Sequence, residues 1–387
     1  MAQRADENPK KRKRHMLCTF FKSTCPGHDA TSVTVPDTFT SVGKGAFHYC
    51  NILTSIELPD TLTSIEESAF GFCSGLTSLT LPESLTSVGP RAFFGAKGLT
   101  ALSLPNSLTT IGEGAFRNCT GLTTLTLPGS LTTVSKHAFR GAKGLTALSF
   151  PNSLITIGEG AFRECSGLTT VTLPDALTAV GLGAFDRCKS LTAITLPVSL
   201  TTTGECTFSE CAGLTTLTLP GALTTIGDRA FFDCKGLTAL TLPDSVTTIG
   251  EEAFWECAGL TTLTLPDQLT TIGGHSFRGC SGLTSLTLPH KLTNVGQFAF
   301  LDCPVLISVI FRPPVSRGAF IAWSVGNSRN RVNWQLTTLK RLRNVLRLIT
   351  AFALERRDVV SIDPDGGKNV FNVYPPLSPC EYLLLVT

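Results

Sequence analysis

A chain of 387 residues, 42% hydrophobic and 16% charged, has the length and apolar content for a sizeable core. Its net charge of +3 hides three segments: residues 1–28 carry 7 Lys/Arg against 2 Asp/Glu (+5), 29–304 carry 14 against 22 (−8), and 305–387 carry 11 against 5 (+6). No run of 18 or more apolar residues occurs, which excludes a transmembrane helix, and "MAQRADENPKKRKRHMLCTFF" lacks the long apolar core of a secretory signal.

The first 28 residues are expected to form a basic, flexible arm. Within it, "PKKRKRH" at 9–15 resembles a short nuclear import signal made by Lys10, Lys11, Arg12, Lys13 and Arg14. The same arm could equally touch RNA or anionic lipid. Cys18, Cys25 and His28 lie close together but lack the paired C-x-x-C half that a zinc site needs.

From about residue 29 to 312 the chain repeats itself. Phe recurs every 23 residues from Phe47 to Phe300, and Pro keeps the same step from Pro36 to Pro289. One unit reads G-L-T-x-L-x-L-P-x-x-L-T-x-I-G-x-x-A-F-x-x-C-x. In the copy at 122–142, Leu122, Leu125 and Leu127 alternate with Thr124 and Thr126, the pattern of a strand with one buried face. Pro128 has no N–H to donate and closes that strand. "LTTV" at 131–134 predicts a second short extended piece. Ala138, Phe139 and Ala142 are then expected to point inward from a single turn of helix. One coil cannot bury so many apolar side chains alone, whereas stacked coils can, so stability becomes a sum over neighbouring interfaces.

A period of 20–29 with L-x-x-L-x-L is the mark of a leucine-rich repeat solenoid. Sequences of the "LTTLTLPDSLTTIGEGAFRNC" kind resemble the repeats of the Bacteroides surface protein A type, also called Treponema-type. That resemblance spans residues 31–312 and implies a right-handed solenoid used for adhesion or protein binding. The common leucine-rich repeat forms an Asn ladder where this chain has Ser107, Ser130 or Ala222. The expected fold class is therefore an α/β repeat solenoid of about twelve 23-residue coils with a parallel sheet and a small C-terminal helical cap. A second period overlies the first: "KGLTAL" or "KSLTAI" places Lys97, Lys143, Lys189 and Lys235 at steps of 46, so the array grew by copying pairs of coils.

Ten of the 14 cysteines share one repeat position: Cys50, Cys73, Cys119, Cys165, Cys188, Cys211, Cys234, Cys257, Cys280 and Cys303. Ala96 and Ala142 fill the same slot, which suits small buried hydrophobes rather than metal ligands. Parallel neighbours in one column also have poor geometry for disulfides. Glu113, Glu159 and Glu251 recur as exposed repeat positions, and no carboxylate pair converges with a His or Lys. "DPDGGK" at 363–368 lacks the oxygen positions of a calcium loop and is expected to be a turn. No catalytic, metal or cofactor residue is assigned, and the chain is expected not to be an enzyme and to take no small-molecule substrate.

The candidate binding surface is the outward Thr columns: Thr124, Thr126, Thr170, Thr172, Thr216, Thr218, Thr262 and Thr264. Alternate coils carry Ala and Ser or Thr there. A concave protein-binding face, an inert sheet surface and, more remotely, an ice-binding T-x-T array are all compatible with it.

The last part, 313–387, changes composition. "NWQLTTLKRLRNVLRLITAFAL" at 333–354 spaces Leu336, Leu339, Leu342, Leu346, Ile349 and Ala353 as an amphipathic helix, flanked by Lys340, Arg343 and Arg347. It is expected to cap the exposed end of the array. The leading reading is an intracellular scaffold, cytoplasmic or nuclear, with a protein partner of unknown identity. Nucleic acid or anionic lipid could be met only through the basic ends. The alternative is a cell-surface or secreted adhesin whose signal sequence is missing from the N-terminus.

Overall fold

The computed structural model describes residues 30–306, together with the backbone of Ser308–Phe311 and Asn333–Trp334. The chain divides into two compact units, Met1–Leu200 and Thr201–Thr387. Each is a stack of coils of about 23 residues, and most coils contribute a three-residue strand, a corner at Pro, a two-residue strand and a run of tight turns.

In unit 1 the longer strands pair in parallel at the 23-residue step. Ala101 lies opposite Thr124, and Ser103 opposite Thr126. Ala147, Thr170 and Ala193 follow one another across the three strands Ala147–Ser149, Thr170–Thr172 and Ala193–Thr195. The shorter strands form their own ladders, such as Thr133–Val134, Thr156–Ile157 and Ala179–Val180. Unit 2 repeats this scheme: Ala239–Thr241 pairs with Thr262–Thr264, and Thr225–Ile226 starts a four-stranded ladder ending at Asn294–Val295. The corner begins as expected at Pro128, whose carbonyl accepts the Leu131 N–H at 3.1 Å.

The core follows from the repeat. Phe47, Phe70, Phe93, Phe116, Phe139, Phe162 and Phe185 are buried in unit 1, and Phe208, Phe231, Phe254, Phe277 and Phe300 in unit 2. Successive rings in unit 1 lie 5.1–5.5 Å apart and within 9° of parallel. In unit 2 the spacing is 5.2–5.5 Å. Leu122, Leu131, Val134 and Ala138 complete a coil, and all are fully buried.

The expected turn of helix is not there, and the α/β class is corrected to a parallel β-solenoid. Among the described residues there is no helix. The segment around each core Phe is a chain of i→i−3 turns, Ala138 N–H to Ser135 O and Arg140 N–H to His137 O. The residues between them donate to the next coil instead: His137 to Glu159 O, Phe139 to Ala161 O and Gly141 to Arg163 O, each at 2.8 Å. A helix would direct those N–H groups along its own axis. Two left-handed residues per coil break it, at His137 (φ 56°) and Gly141 (φ 74°) in this copy and at the matching positions of the others. Many are not glycine: Tyr49, Phe72, Arg91, Glu164, Arg187, Glu252 and Asp302 all have positive φ. The roughly 1–2 kcal/mol that such a conformation costs an L-residue is offset by the bonds it aims at the next coil.

Glycine is needed for a different reason at the corner after the short strand. A Cβ on Gly112 would come within 2.5 Å of the Gly89 and Pro90 backbone. Gly112→Ala should destabilise unit 1 by about 1–3 kcal/mol, since backbone cannot step aside as a side chain can. Urea unfolding followed by circular dichroism measures it; an unchanged midpoint would show that the coils can separate locally.

At the C-terminal end Ser308–Phe311 is a strand, paired in parallel with Ser285–Leu288. The expected helix is corrected at its start: Asn333–Trp334 is a strand, parallel to Ser308–Val309 at a step of 25 rather than 23. Those two residues find backbone partners on an open sheet edge, which a helix would forgo. The remainder of 333–354 lies outside the described residues.

Candidate functional site

The Thr columns stand where the sequence places them. Thr124 and Thr126 flank buried Leu125 and both are exposed; Thr170 and Thr172 flank Val171, and Thr262 and Thr264 flank Leu263, in the same way. Thr216 and Thr218 flank Leu217, which is only half-buried. In unit 1, Thr170 has Ala147 and Ala193 as its strand neighbours, and Thr172 has Ser149 and Thr195. One column therefore alternates Ala and Thr, spacing its hydroxyls by about two strand separations, roughly 9.6 Å. The other carries a hydroxyl on every coil. Among the described residues no hydrogen bond engages the eight Thr side chains, so these surfaces present small, neutral hydroxyls.

The other hydroxyls are used internally. Thr123 Oγ1 donates to Thr100 O at 2.8 Å, and Thr109 Oγ1 to Thr86 O at 3.3 Å. Ser130 Oγ donates to Leu108 O and Ser107 Oγ to Leu85 O, at 2.8 and 2.7 Å. These serines occupy the position where an Asn ladder was expected to be missing, and they build a ladder of their own. A hydroxyl suffices because its oxygen reaches the carbonyl of the coil before.

The cysteine column is a third ladder. Cys119 Sγ donates to Phe93 O at 3.2 Å, and Cys257 Sγ to Phe231 O at 3.2 Å. Nine of the ten ladder positions hold buried thiols that form no disulfide, so a small apolar role is supported, with a weak hydrogen bond added. Cys50 differs: it is disulfide-bonded. The parallel-column argument excludes bridges within the ladder, not a bridge from the ladder to a cysteine elsewhere. Among the described residues no group of three or more His, Cys, Asp or Glu could hold a metal ion.

A surface that sequence reasoning missed runs along the turns. In unit 1, Tyr49 stacks on Phe72 at 4.9 Å, Phe72 meets Phe94 edge-on at 5.0 Å, and the Arg117 guanidinium lies 5.6 Å over Phe94. In unit 2, Phe232, Trp255, His275 and Phe298 touch in succession at 5.6, 5.5 and 5.2 Å, with Arg278 5.0 Å over Trp255. Ion pairs join neighbouring coils on the same edge, Arg140–Glu164 at 2.8 Å and Arg229–Glu252 at 2.6 Å among them. Arg117 forms no ion pair; burial first, and then Arg140 nearby, lower its pKa. The signal in the sequence was the composition two residues before and one and two after each core Phe, where the repeat is least uniform. The arm residues Lys10, Lys11, Arg12, Lys13 and Arg14 lie outside the described residues. No helix among the described residues is long and apolar enough to cross a membrane.

Comparison with known proteins fits this geometry. The sequence model of a family described as "BspA type Leucine rich repeat region (6 copies)" matches residues 20–146, 134–260 and 207–320. A leucine-rich repeat protein from Bacteroides ovatus ATCC 8483, of known structure, is 28% identical over 73% of this chain and 79% of its own, with a TM-score of 0.64. A leucine rich cell surface protein from Faecalibacterium prausnitzii A2-165 is 23% identical, covering 81% and 90%, with a TM-score of 0.47. The pneumococcal vaccine antigen PcpA is 23% identical, covering 74% and 73%, with a TM-score of 0.45. No protein of curated function matches the chain.

Proposed function

The chain belongs to the BspA-type leucine-rich repeat family, and from that premise we propose that it is a non-enzymatic scaffold that binds a protein partner through its Thr-lined strands. One observation carries the reading: the outward side chains of the strands are short, exposed and unpartnered over successive coils, while every neighbouring hydroxyl ladder is consumed by the fold. A surface of that kind offers hydrogen-bonding groups at low entropic cost, because Thr and Ala lose little side-chain freedom on contact.

A photo-cross-linking residue at Thr170 tests it, beside the same residue at exposed Asn152 on the corner. In extract from the native cell, Thr170 should yield a discrete protein adduct and Asn152 should not. The double change Thr124→Arg, Thr170→Arg should weaken capture by at least about tenfold, roughly 1.4 kcal/mol, without lowering the melting temperature. Equal adducts at both positions would remove the assignment.

A second reading, that the partner is met outside the cell, is favoured by the disulfide at Cys50, since such bonds persist in oxidising compartments. It places the adhesin alternative ahead of the cytoplasmic or nuclear one. Alkylation of intact cells followed by mass spectrometry would show Cys50 protected unless reductant is added. A freely alkylated Cys50 would favour the reducing interior.

A further inference from the structure

The disulfide of Cys50 has a partner that the repeat itself helps to identify. Ten other cysteines form no disulfide, which leaves Cys18, Cys25 and Cys380. The ladder thiols point backwards along the array: Cys73 Sγ donates to Phe47 O at 2.9 Å and Cys119 Sγ to Phe93 O at 3.2 Å. In each case the acceptor is the core Phe of the coil before. Cys50 holds the same repeat position in the first described coil, so its sulfur faces the place of a preceding coil.

The register of the chain entering that coil is fixed. Ser32 lies opposite Ser55, one coil step apart, and the Thr31 carbonyl accepts the Thr54 N–H at 2.8 Å. Residues just ahead of Ser32 are thereby aligned with those just ahead of Ser55, and the position matching Cys50 is Gly27. Neighbouring coils stand about 4.8 Å apart, inside the roughly 4.4–6.8 Å between Cα atoms that a disulfide spans. Cys25 is two residues from Gly27, and Cys18 is nine. Cys25 is also outside the ladder column, whose parallel side chains suit a bridge poorly, and Pro26–Gly27 supplies turn-forming residues beside it.

The end of the array also behaves as a covered face. Ser41–Val42 pairs only with Ser64–Ile65, and among the described residues Phe47 stacks on Phe70 alone. Val42 and Phe47 are nevertheless at most 1% exposed. The family match begins at residue 20, ahead of the first described residue, and takes in Phe20 and Phe21 as apolar material. An array of repeats needs such a cover, because an open apolar end invites further stacking.

We propose that residues 20–29 close the N-terminal end of the array as a cap, and that a Cys25–Cys50 disulfide locks it there. Closure proceeds by thiol–disulfide exchange. One thiolate attacks an external disulfide such as oxidised glutathione, forming a mixed disulfide and releasing one glutathione thiolate. The second thiolate displaces the other glutathione, so two electrons and two protons leave the protein for the oxidant. A dithiol reductant reverses both steps. The lock is therefore shut in an oxidising compartment and open in a reducing one, where Val42 and Phe47 lose their cover.

The test uses the purified full chain, so its outcome does not depend on where a partner is met. Protein equilibrated with oxidised and reduced glutathione, then alkylated and digested without reduction, should yield a linked peptide pair joining Cys25 to Cys50. Hydrogen exchange reads the consequence. Dithiol reductant, or Cys25→Ser, should speed exchange at Phe47 and Tyr49 by at least about tenfold. Their N–H groups donate to Ala69 O and Gly71 O in the next coil. Phe139, bonded in the same way to Ala161 O, should not change, because each coil answers only to its neighbours. Cys18→Ser and Cys380→Ser should leave the link and the exchange as they are. A link from Cys50 to Cys18 or Cys380 would overturn the proposal, as would a Cys50 that stays open to alkylation in the redox buffer. Exchange at Phe47 that ignores the reductant would overturn the cap. If Cys25→Ser misfolds by circular dichroism, oxidised and reduced wild-type protein supply the same comparison, with the same expected and contrary results.

Discussion

Phe139→Ala should destabilise unit 1 by about 3–5 kcal/mol, a large share of the stability of a typical domain. Its ring is fully buried, 5.3 Å from Phe116 and 5.5 Å from Phe162, and nearly parallel to both. Truncation removes two stacked faces at once. The coil cannot collapse to refill the space, because the Phe139 N–H is held by Ala161 O at 2.8 Å and the Phe116 N–H by Ala138 O at 2.8 Å. A control lies one corner away. Phe150 touches Phe162 edge-on at 5.4 Å but stands where other coils have Leu127 or Leu173, so Phe150→Leu should cost less than about 1.5 kcal/mol. Urea unfolding of both variants supplies the comparison. Similar, small losses would mean that the coils do not share one packed core.

The second large effect is in the thiols. Burial pushes Cys73, Cys119, Cys165, Cys257 and Cys303 up to about 12 from 9.0, and it also raises Cys234 and Cys280 well above 9.0. At a given pH below 9.0 the thiolate fraction of the first five falls by about a thousandfold, so alkylation of native protein should slow by at least about that factor. The folded state keeps these protons after the unfolded chain has lost them. Their contribution to stability is therefore intact below 9.0 and drains away as the pH climbs towards 12. The urea midpoint should drop across that window, and Cys119→Ala, which copies Ala96 and Ala142, should make the drop shallower. A pH-independent midpoint, or rapid labelling of the ladder in native protein, would mean that the column is open to water.

The turn edge explains why one surface was legible beforehand and the other was not. The Thr columns follow from period-2 alternation in "LTTLTL", since a strand with one buried face must present its other residues outward. The aromatic and charged edge depends on which residues of different coils meet. Tyr49 and Phe72, or Trp255 and His275, are far apart along the chain and become neighbours only when coil stacks on coil.

By itself the sequence determined the repeat length, the strand pair, the corner at Pro and the inward set of Leu, Ile, Ala, Phe and Cys. Those features rest on local periodicity and on the absence of an N–H in proline. Tertiary structure decided the conformation around each core Phe. The spacing of Ala138, Phe139 and Ala142 suits a helical turn as well as a chain of tight turns, and non-glycine residues such as His137 and Glu252 disfavour the left-handed backbone they adopt. An isolated coil has nothing to offset that cost. In the stack, left-handed residues such as His137, Gly141, Glu164 and Glu252 aim an N–H at a carbonyl of the next coil, and that bond exists only once the neighbour is in place. The same reason turned Asn333–Trp334 into a strand: an open parallel edge supplied partners that no reading of local amphipathicity could include.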